Sequence, residues 1–462
     1  MTPESPVRPT PAPSRYFVSI FGIALFCAVA VLYLFFQGPY IVLMKFMLRL
    51  PAPHPFTDWE WLPAAVTCWH EGVDVYINNS CYQPAQGLGF NYSPLWLRLG
   101  FLRYLDGWHV VTGIVISLAW LASLMALPVR NRFGRDMVLR ALCSSAIFLA
   151  IERGNVDLLI FLMMIAALWL RGMSPPLRLF GYAIIIFAGL LKFYPFVALL
   201  VVLRERVRVV LAVAAASAAC LLALVLAYHQ ELGWMARNLP VPSYFTLQFG
   251  AADLPMGLGA SVGVIARDWL HQPPQLARAL GGTVGGVLMP VLTLGALVGA
   301  VLLGRRLRMA GALGVLTRRE LDFLVVGAAL ICGCFFAGQS VIYRGMFLLL
   351  VLPAIGALRQ ELPTPAARRV FAVSAVAMVL VLWAPAIESV LFLLRLVALS
   401  PYQGEAFASV PASPARYLLW LGGEIAWWWI VMLLLAVLGG FVFASPAWGW
   451  VRLRVRGRVF TP

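Results

Sequence analysis

The chain reads as an all-α polytopic membrane protein, on three observations. Of its 462 residues, 62% are hydrophobic and only 12% charged, against roughly 25% charged in an ordinary soluble domain. Apolar stretches recur from end to end and leave no hydrophilic stretch for a separate soluble domain. The basic residues, finally, gather between alternate apolar stretches. The composition excludes a soluble enzyme, and the even spread of apolar segments makes 1–462 one membrane body rather than the few soluble domains its length would allow. A net charge of +16 would suggest nucleic acid as partner of a water-soluble chain, but in a membrane protein it answers first to topology.

A bilayer core of about 30 Å takes around 20 apolar helical residues, fewer where a helix is broken or re-entrant. By that ruler about twelve transmembrane or re-entrant segments are expected, near 16–36, 108–128, 137–151, 155–170, 179–190, 193–203, 209–228, 284–303, 321–337, 341–357, 370–384 and 417–440. The first is too long for a signal-peptide core and has no small-residue cleavage site after it, so it reads as a retained anchor. Arg8 and Arg15 before it place the N-terminus in the cytoplasm.

Alternate loops then separate sharply by charge. Those on the N-terminal side of the membrane, including Arg130, Arg171, Arg204, Arg305, Arg318, Arg368 and the Arg452 to Arg458 tail, hold 22 basic and six acidic residues; loops and membrane interior elsewhere hold thirteen of each sign. The whole excess is therefore an orientation signal, with both termini cytoplasmic and no role for nucleic acid. Long outer segments are expected at 37–107, 229–283 and 385–416, so chemistry should face outward. The expected setting is a bacterial inner (plasma) membrane. In the first outer loop, Gly38 to Pro51 is apolar but interrupted by Lys45 and Arg49. It reads either as an interfacial helix or as a continuation of the first span. Trp59, Trp61, Trp69, Trp96 and Trp108 fit an aromatic belt for the most part, with one or two left to stack on a sugar ring.

Five of the seven cysteines fall within spans. Cys68 and Cys81 share the first outer loop, where a disulfide and two free thiols are both open readings. The five histidines form no HxxxH or HExxH pattern, and no phosphate-binding loop or dinucleotide fingerprint occurs, so neither a metal nor a cofactor is expected.

Ionisable groups at membrane depth are costly and mark sites or pathways. Asp58 and Glu60 follow the interfacial segment, as either a functional acid or solvated loop residues. Glu152-Arg153-Gly154-Asn155-Val156-Asp157 is a polar knot between two short spans, either a site or an internally paired helix-capping turn. Lys192, one of only two lysines beside 33 arginines, lies between apolar halves that break before Pro195. A single span there would put Arg178 and Arg204 on opposite sides, so two half-helices meeting at Lys192 are expected. Its ammonium either binds an anion or snorkels to headgroups. Arg344 enters an apolar run after Gln339-Ser340. Were Arg153, Lys192 and Arg344 to converge, they would make a cationic pocket suited to a phosphate.

In order, Asp58, Gly72-Val73-Asp74-Val75-Tyr76, Phe90-Asn91-Tyr92-Ser93-Pro94-Leu95, Glu152-Arg153-Gly154-Asn155, Leu191-Lys192-Phe193-Tyr194-Pro195 and Tyr343-Arg344 with Pro353 resemble the GT-C glycosyltransferases that use polyprenyl-phosphate sugars. The nearest branch contains the alpha-1,2-mannosyltransferases of phosphatidylinositol-mannoside synthesis. The likeness covers roughly 55–355. It implies a many-helix bundle with its active site on the non-cytoplasmic face and Asp58 as catalytic base. Ser93 stands where the family commonly has a second proline, and Glu152 where a glutamine is often found. The expected activity is inverting transfer of a sugar, mannose first, from a polyprenyl-phosphate donor to a lipid or glycan acceptor. Lys192, Arg344 and Arg153 would hold the donor phosphate, and Glu152, Asn155, Tyr92, Tyr194 and Tyr343 would line the substrate site. Membrane lipids are the other expected partners. A transporter or lipid flippase is the competing class, because it too uses broken helices and intramembrane charge. Against it stand the absence of an internal repeat and the bias of polar groups to one side. An assembly subunit without activity is a third class.

Overall fold

The computed structural model describes residues 16–48, 54–77, 81, 89–239, 244–245, 248–394, 410–411 and 413–450. Arg8, Arg15, Arg49 and the Arg452 to Arg458 tail, which carry part of the orientation reading, lie outside the described residues. Helices make up the fold. In chain order they are α1 (Phe17–Phe35), α2 (Gln37–Leu48), α3 (Thr57–His70), α4 (Leu95–Arg98), α5 (His109–Ser123), α6 (Arg132–Leu142), α7 (Ser145–Arg153), α8 (Asp157–Leu170) and α9 (Pro175–Lys192). After a 3-10 helix, Tyr194–Arg204, come α10 (Val207–Arg237), α11 (Asp253–Asp268), α12 (Pro274–Arg306), α13 (Met309–Ala312), α14 (Arg318–Ala337), α15 (Leu348–Glu361), α16 (Pro365–Leu382), α17 (Ala384–Leu393) and α18 (Pro414–Ala444). A two-stranded antiparallel ribbon joins β1 (Gln248–Phe249) to β2 (Ser340–Val341).

Among the described residues, nine helices are long and apolar enough to cross a membrane, and α7 with α8, bent by 104° at their junction, make up to a tenth. The chain is an integral, multi-pass, all-α membrane protein. Its centre is α14 and α15. Every residue of α15 from Leu348 to Leu358 is buried, as expected of a helix that is apolar all round. A capping box at Thr317 and Glu320 starts α14, satisfying two N–H groups that the first turn leaves without partners.

Several segments differ in form from expectation. The stretch 137–151 is two helices: α6, capped by Asn131 accepting from the Gly134 N–H at 2.7 Å, stops at Leu142, and α7 restarts at Ser145. The stretch 193–203 is an eleven-residue 3-10 helix, which at about 2.0 Å per residue covers about 22 Å. The expected outer loop at 229–283 is largely helical, because α10 and α12 run to 31 and 33 residues and α11 packs along α12. Glycines make that packing possible. A methyl on Gly259 would stand 2.3 Å from the Gly281 carbonyl oxygen, so the two backbones touch where any other side chain would hold them apart.

Cys68 and Cys81 are disulfide-bonded, with Cα atoms 6.0 Å apart. Trp59 and Trp96 do not belong to an aromatic belt. Both are buried, Trp59 donating to Thr112 Oγ1 at 2.6 Å and Trp96 to the Leu191 carbonyl at 3.1 Å, whereas Trp108 is exposed.

Candidate functional site

The site begins with the turn after α7. Gly154 closes that helix at φ +59°, a left-handed conformation that costs a non-glycine residue about 1–2 kcal/mol. Helix α3 lies directly on it: the Phe56 N–H donates to the Glu152 carbonyl at 2.6 Å, and a Cβ on Gly154 would be 3.0 Å from that of Trp59. Asn155 then works in two directions. Its Oδ1 accepts from the Asp157 N–H at 2.9 Å, opening α8, and its Nδ2 donates to Asp58 Oδ2 at 2.7 Å. Tyr343 lies within electrostatic reach of Asp58 and Asp157.

Around Asp58 the charges are close but loose. Arg153 Nη1 is 3.8 Å from Asp58 Oδ1, and Arg153 Nε is 3.4 Å from Glu152 Oε2. The Asp58 side chain keeps 27% of its surface open, so another molecule can reach it. Enclosure by surrounding protein pushes its carboxyl above the usual carboxylate range, while the Arg153 guanidinium and the Asn155 hydrogen bond pull it back.

The other half forms where α9 ends. Phe193 turns the chain at φ +60°, separating α9 from the 3-10 helix at the expected place. Lys192 Nζ lies 2.6 Å from Asp157 Oδ1, and the Tyr194 hydroxyl donates to the same oxygen at 2.7 Å. Arg344 Nε stands 3.6 Å from Asp157 Oδ2, beyond hydrogen-bond reach. Lys192 Nζ lies 5.3 Å from the centre of the Tyr92 ring, and the Arg344 guanidinium 5.2 Å from that of Tyr194, distances at which a ring face attracts a cation.

Every residue expected in the site is therefore gathered into two adjoining halves. Asp58, Glu152, Arg153, Asn155 and Tyr343 form one; Lys192, Tyr194, Arg344 and Tyr92 form the other. The cations do not meet one another as a bare pocket. Lys192 and Arg344 meet at Asp157, a fully buried carboxylate that sequence reasoning named in the turn but gave no role. A signal was available, since an acid opening an apolar helix needs a cation and this chain has only two lysines. The N-terminal turn of α8 also favours the carboxylate there.

An apolar groove reaches the Glu152 side of the site. Its cavity of ≈ 160 Å³ runs between α1, α2, α5 and α7, past Phe26, Tyr33, Met44 and Phe148, and reaches Phe56 and Glu152. At the start of α3, His54, Glu60 and His109 form a group that could hold a metal ion. Set against models of known protein families, curated proteins and solved structures, the chain matches none of them.

Proposed function

We propose that the chain is an inverting glycosyltransferase that moves a sugar, most simply mannose, from a polyprenyl-phosphate donor to a lipid or glycan acceptor. The observation that carries this reading is a reachable carboxylate, Asp58, beside a cation cluster at the head of an apolar groove. In it the isoprenoid tail lies in the groove and the phosphate meets Arg153, Arg344 and Lys192. Asp58 takes the proton of the acceptor hydroxyl as its oxygen bonds to the anomeric carbon. The bond from that carbon to the phosphate oxygen breaks on the opposite face, and its electron pair leaves with the phosphate. A phosphate is already a stable anion, so the second carboxylic acid of a glycosidase is not needed. Asp157 holds Lys192 and Arg344 in place, Lys192 by a hydrogen bond and Arg344 across 3.6 Å, and the Arg344 side chain keeps 20% of its surface exposed for the phosphate.

In this reading the Asp58 end faces the non-cytoplasmic side of a bacterial plasma membrane and both termini are cytoplasmic. The bundle is of GT-C type, and twelve membrane segments are counted when the two arms of the bent pair and the 3-10 helix are each taken as one. Incubating the purified chain with radiolabelled polyprenyl-phosphate-mannose and candidate lipid acceptors tests it. Label should move to an acceptor in wild type; movement of intact donor lipid between leaflets without transfer would favour a flippase instead.

A further inference from the structure

His54 stands just before α3, Glu60 in its first turn and His109 at the first residue of α5. Nε2 of His54 is 3.4 Å from Glu60 Oε2, and Nδ1 of His109 is 3.6 Å from Glu60 Oε1. Candidate ligand atoms of all three lie within 4.8 Å of one another. Glu60 Oε2 and His109 Nδ1 are shut off from solvent and have no hydrogen-bond partner among the described residues.

Two kinds of contact compete for this geometry. A charge-assisted hydrogen bond from an imidazolium to a carboxylate would draw the atoms to about 2.7–2.9 Å, closer than observed. Ligand atoms that share a tetrahedral metal ion, at about 2.0–2.2 Å from it, stand roughly 3.3–3.6 Å apart along each edge. The histidines meet different oxygens of Glu60, at 3.4 and 3.6 Å, too far for such hydrogen bonds and near the edge length of a metal site, with all three residues' ligand atoms inside 4.8 Å. His54 adds a further point, because its Nδ1 faces the Pro55 carbonyl at 3.4 Å. An N–H on that nitrogen turns the bare lone pair of Nε2 toward a carboxylate oxygen, an arrangement that a cation between them relieves and that is usual for metal-bound histidine.

We propose that His54, Glu60 and His109 form a three-ligand site for a divalent transition metal of the zinc class, with its fourth position open to water. Imidazole with carboxylate suits such ions. The ion would fasten the first turn of α3 to the start of α5, beside the Trp59 to Thr112 hydrogen bond of 2.6 Å. The site stands independently of sugar transfer.

The test uses the full chain in detergent, stripped with a chelator and titrated with Co²⁺ alone. The proposal expects one equivalent of cobalt with the visible absorption of a four- or five-coordinate ion, displaced by Zn²⁺. Glu60→Gln and His109→Ala should each weaken cobalt binding by at least ~10-fold, with circular dichroism and elution unchanged. Absence of stoichiometric cobalt binding by wild type would overturn it whatever the variants do. So would binding that survives both substitutions with the thiolate absorption of cobalt on free cysteines such as Cys27 or Cys220, which are exposed.

Discussion

Helix α8 carries an ion cluster at each end, built from the same kinds of side chain, and the two differ in what they leave unused. At its C-terminal end, Arg171 is 1% exposed and donates to Asp322 Oδ2 at 3.1 Å, to the Tyr182 hydroxyl at 2.6 Å and to the Val201 carbonyl at 3.2 Å. Arg204 adds a bond of 2.9 Å to the other Asp322 oxygen, and the Tyr182 hydroxyl donates to Glu205 Oε1 at 2.9 Å. That end is a closed clamp. At the N-terminal end, Asp157 is equally buried, yet its Oδ2 meets the Nε of Arg344 at 3.6 Å, an ion pair without a hydrogen bond, and the Arg344 side chain keeps 20% of its surface exposed. Buried polar groups are nearly always satisfied, so donor capacity left over beside a reachable carboxylate distinguishes a place that takes a ligand from one that only holds helices together.

Substitutions can break this contrast. Asp322→Ala strands two guanidinium groups in a closed setting and should lower stability by about 3–5 kcal/mol, read as a fall in melting temperature in detergent. Lys192→Ala leaves the buried Asp157 with Arg344 as its remaining cation and so should also lower the melting temperature; its effect on binding is read on the folded fraction. Loss of one charge-assisted contact is worth about 1.5–3 kcal/mol, roughly 10- to 100-fold in donor affinity, and unchanged affinity for a polyprenyl-phosphate sugar would remove Lys192 from the phosphate site. Gly154→Ala should have the smallest effect, about 1–2 kcal/mol from the left-handed backbone, with some loss of activity because α3 is pushed away from the turn. A variant as stable and as active as wild type would show that α3 is not seated there.

What was legible in the sequence follows from how each feature is encoded. Hydropathy and charge reveal spans and interruptions, so the membrane class, the break after Lys192 and the polar turn at Glu152 could be read directly. Partners across the bundle could not. Asp157 meets Lys192 over a separation of 35 residues, and only the approach of α8 and α9 brings them together. His54, Glu60 and His109 escaped for the same reason: their ligand atoms come from three places along the chain, with no motif spacing to betray them. The stretch 229–283 reads as an outer loop between spans, and the contact that makes it helical, Gly259 of α11 on Gly281 of α12, is again one across the bundle. Trp59 and Trp96 looked like belt residues since composition records that a tryptophan is present and says nothing of whether its ring faces lipid or protein.

The most direct measurement compares Asp58→Asn with Asp322→Asn in a single-turnover assay with radiolabelled polyprenyl-phosphate-mannose, each normalised to folded protein by its melting curve. Asp58→Asn should melt as wild type does and bind donor, yet lose transfer by about 10²- to 10⁴-fold; Asp322→Asn should melt lower while each folded molecule keeps its rate. Wild-type transfer by Asp58→Asn would contradict the account, for it would leave the open end of α8 with no base for the reaction.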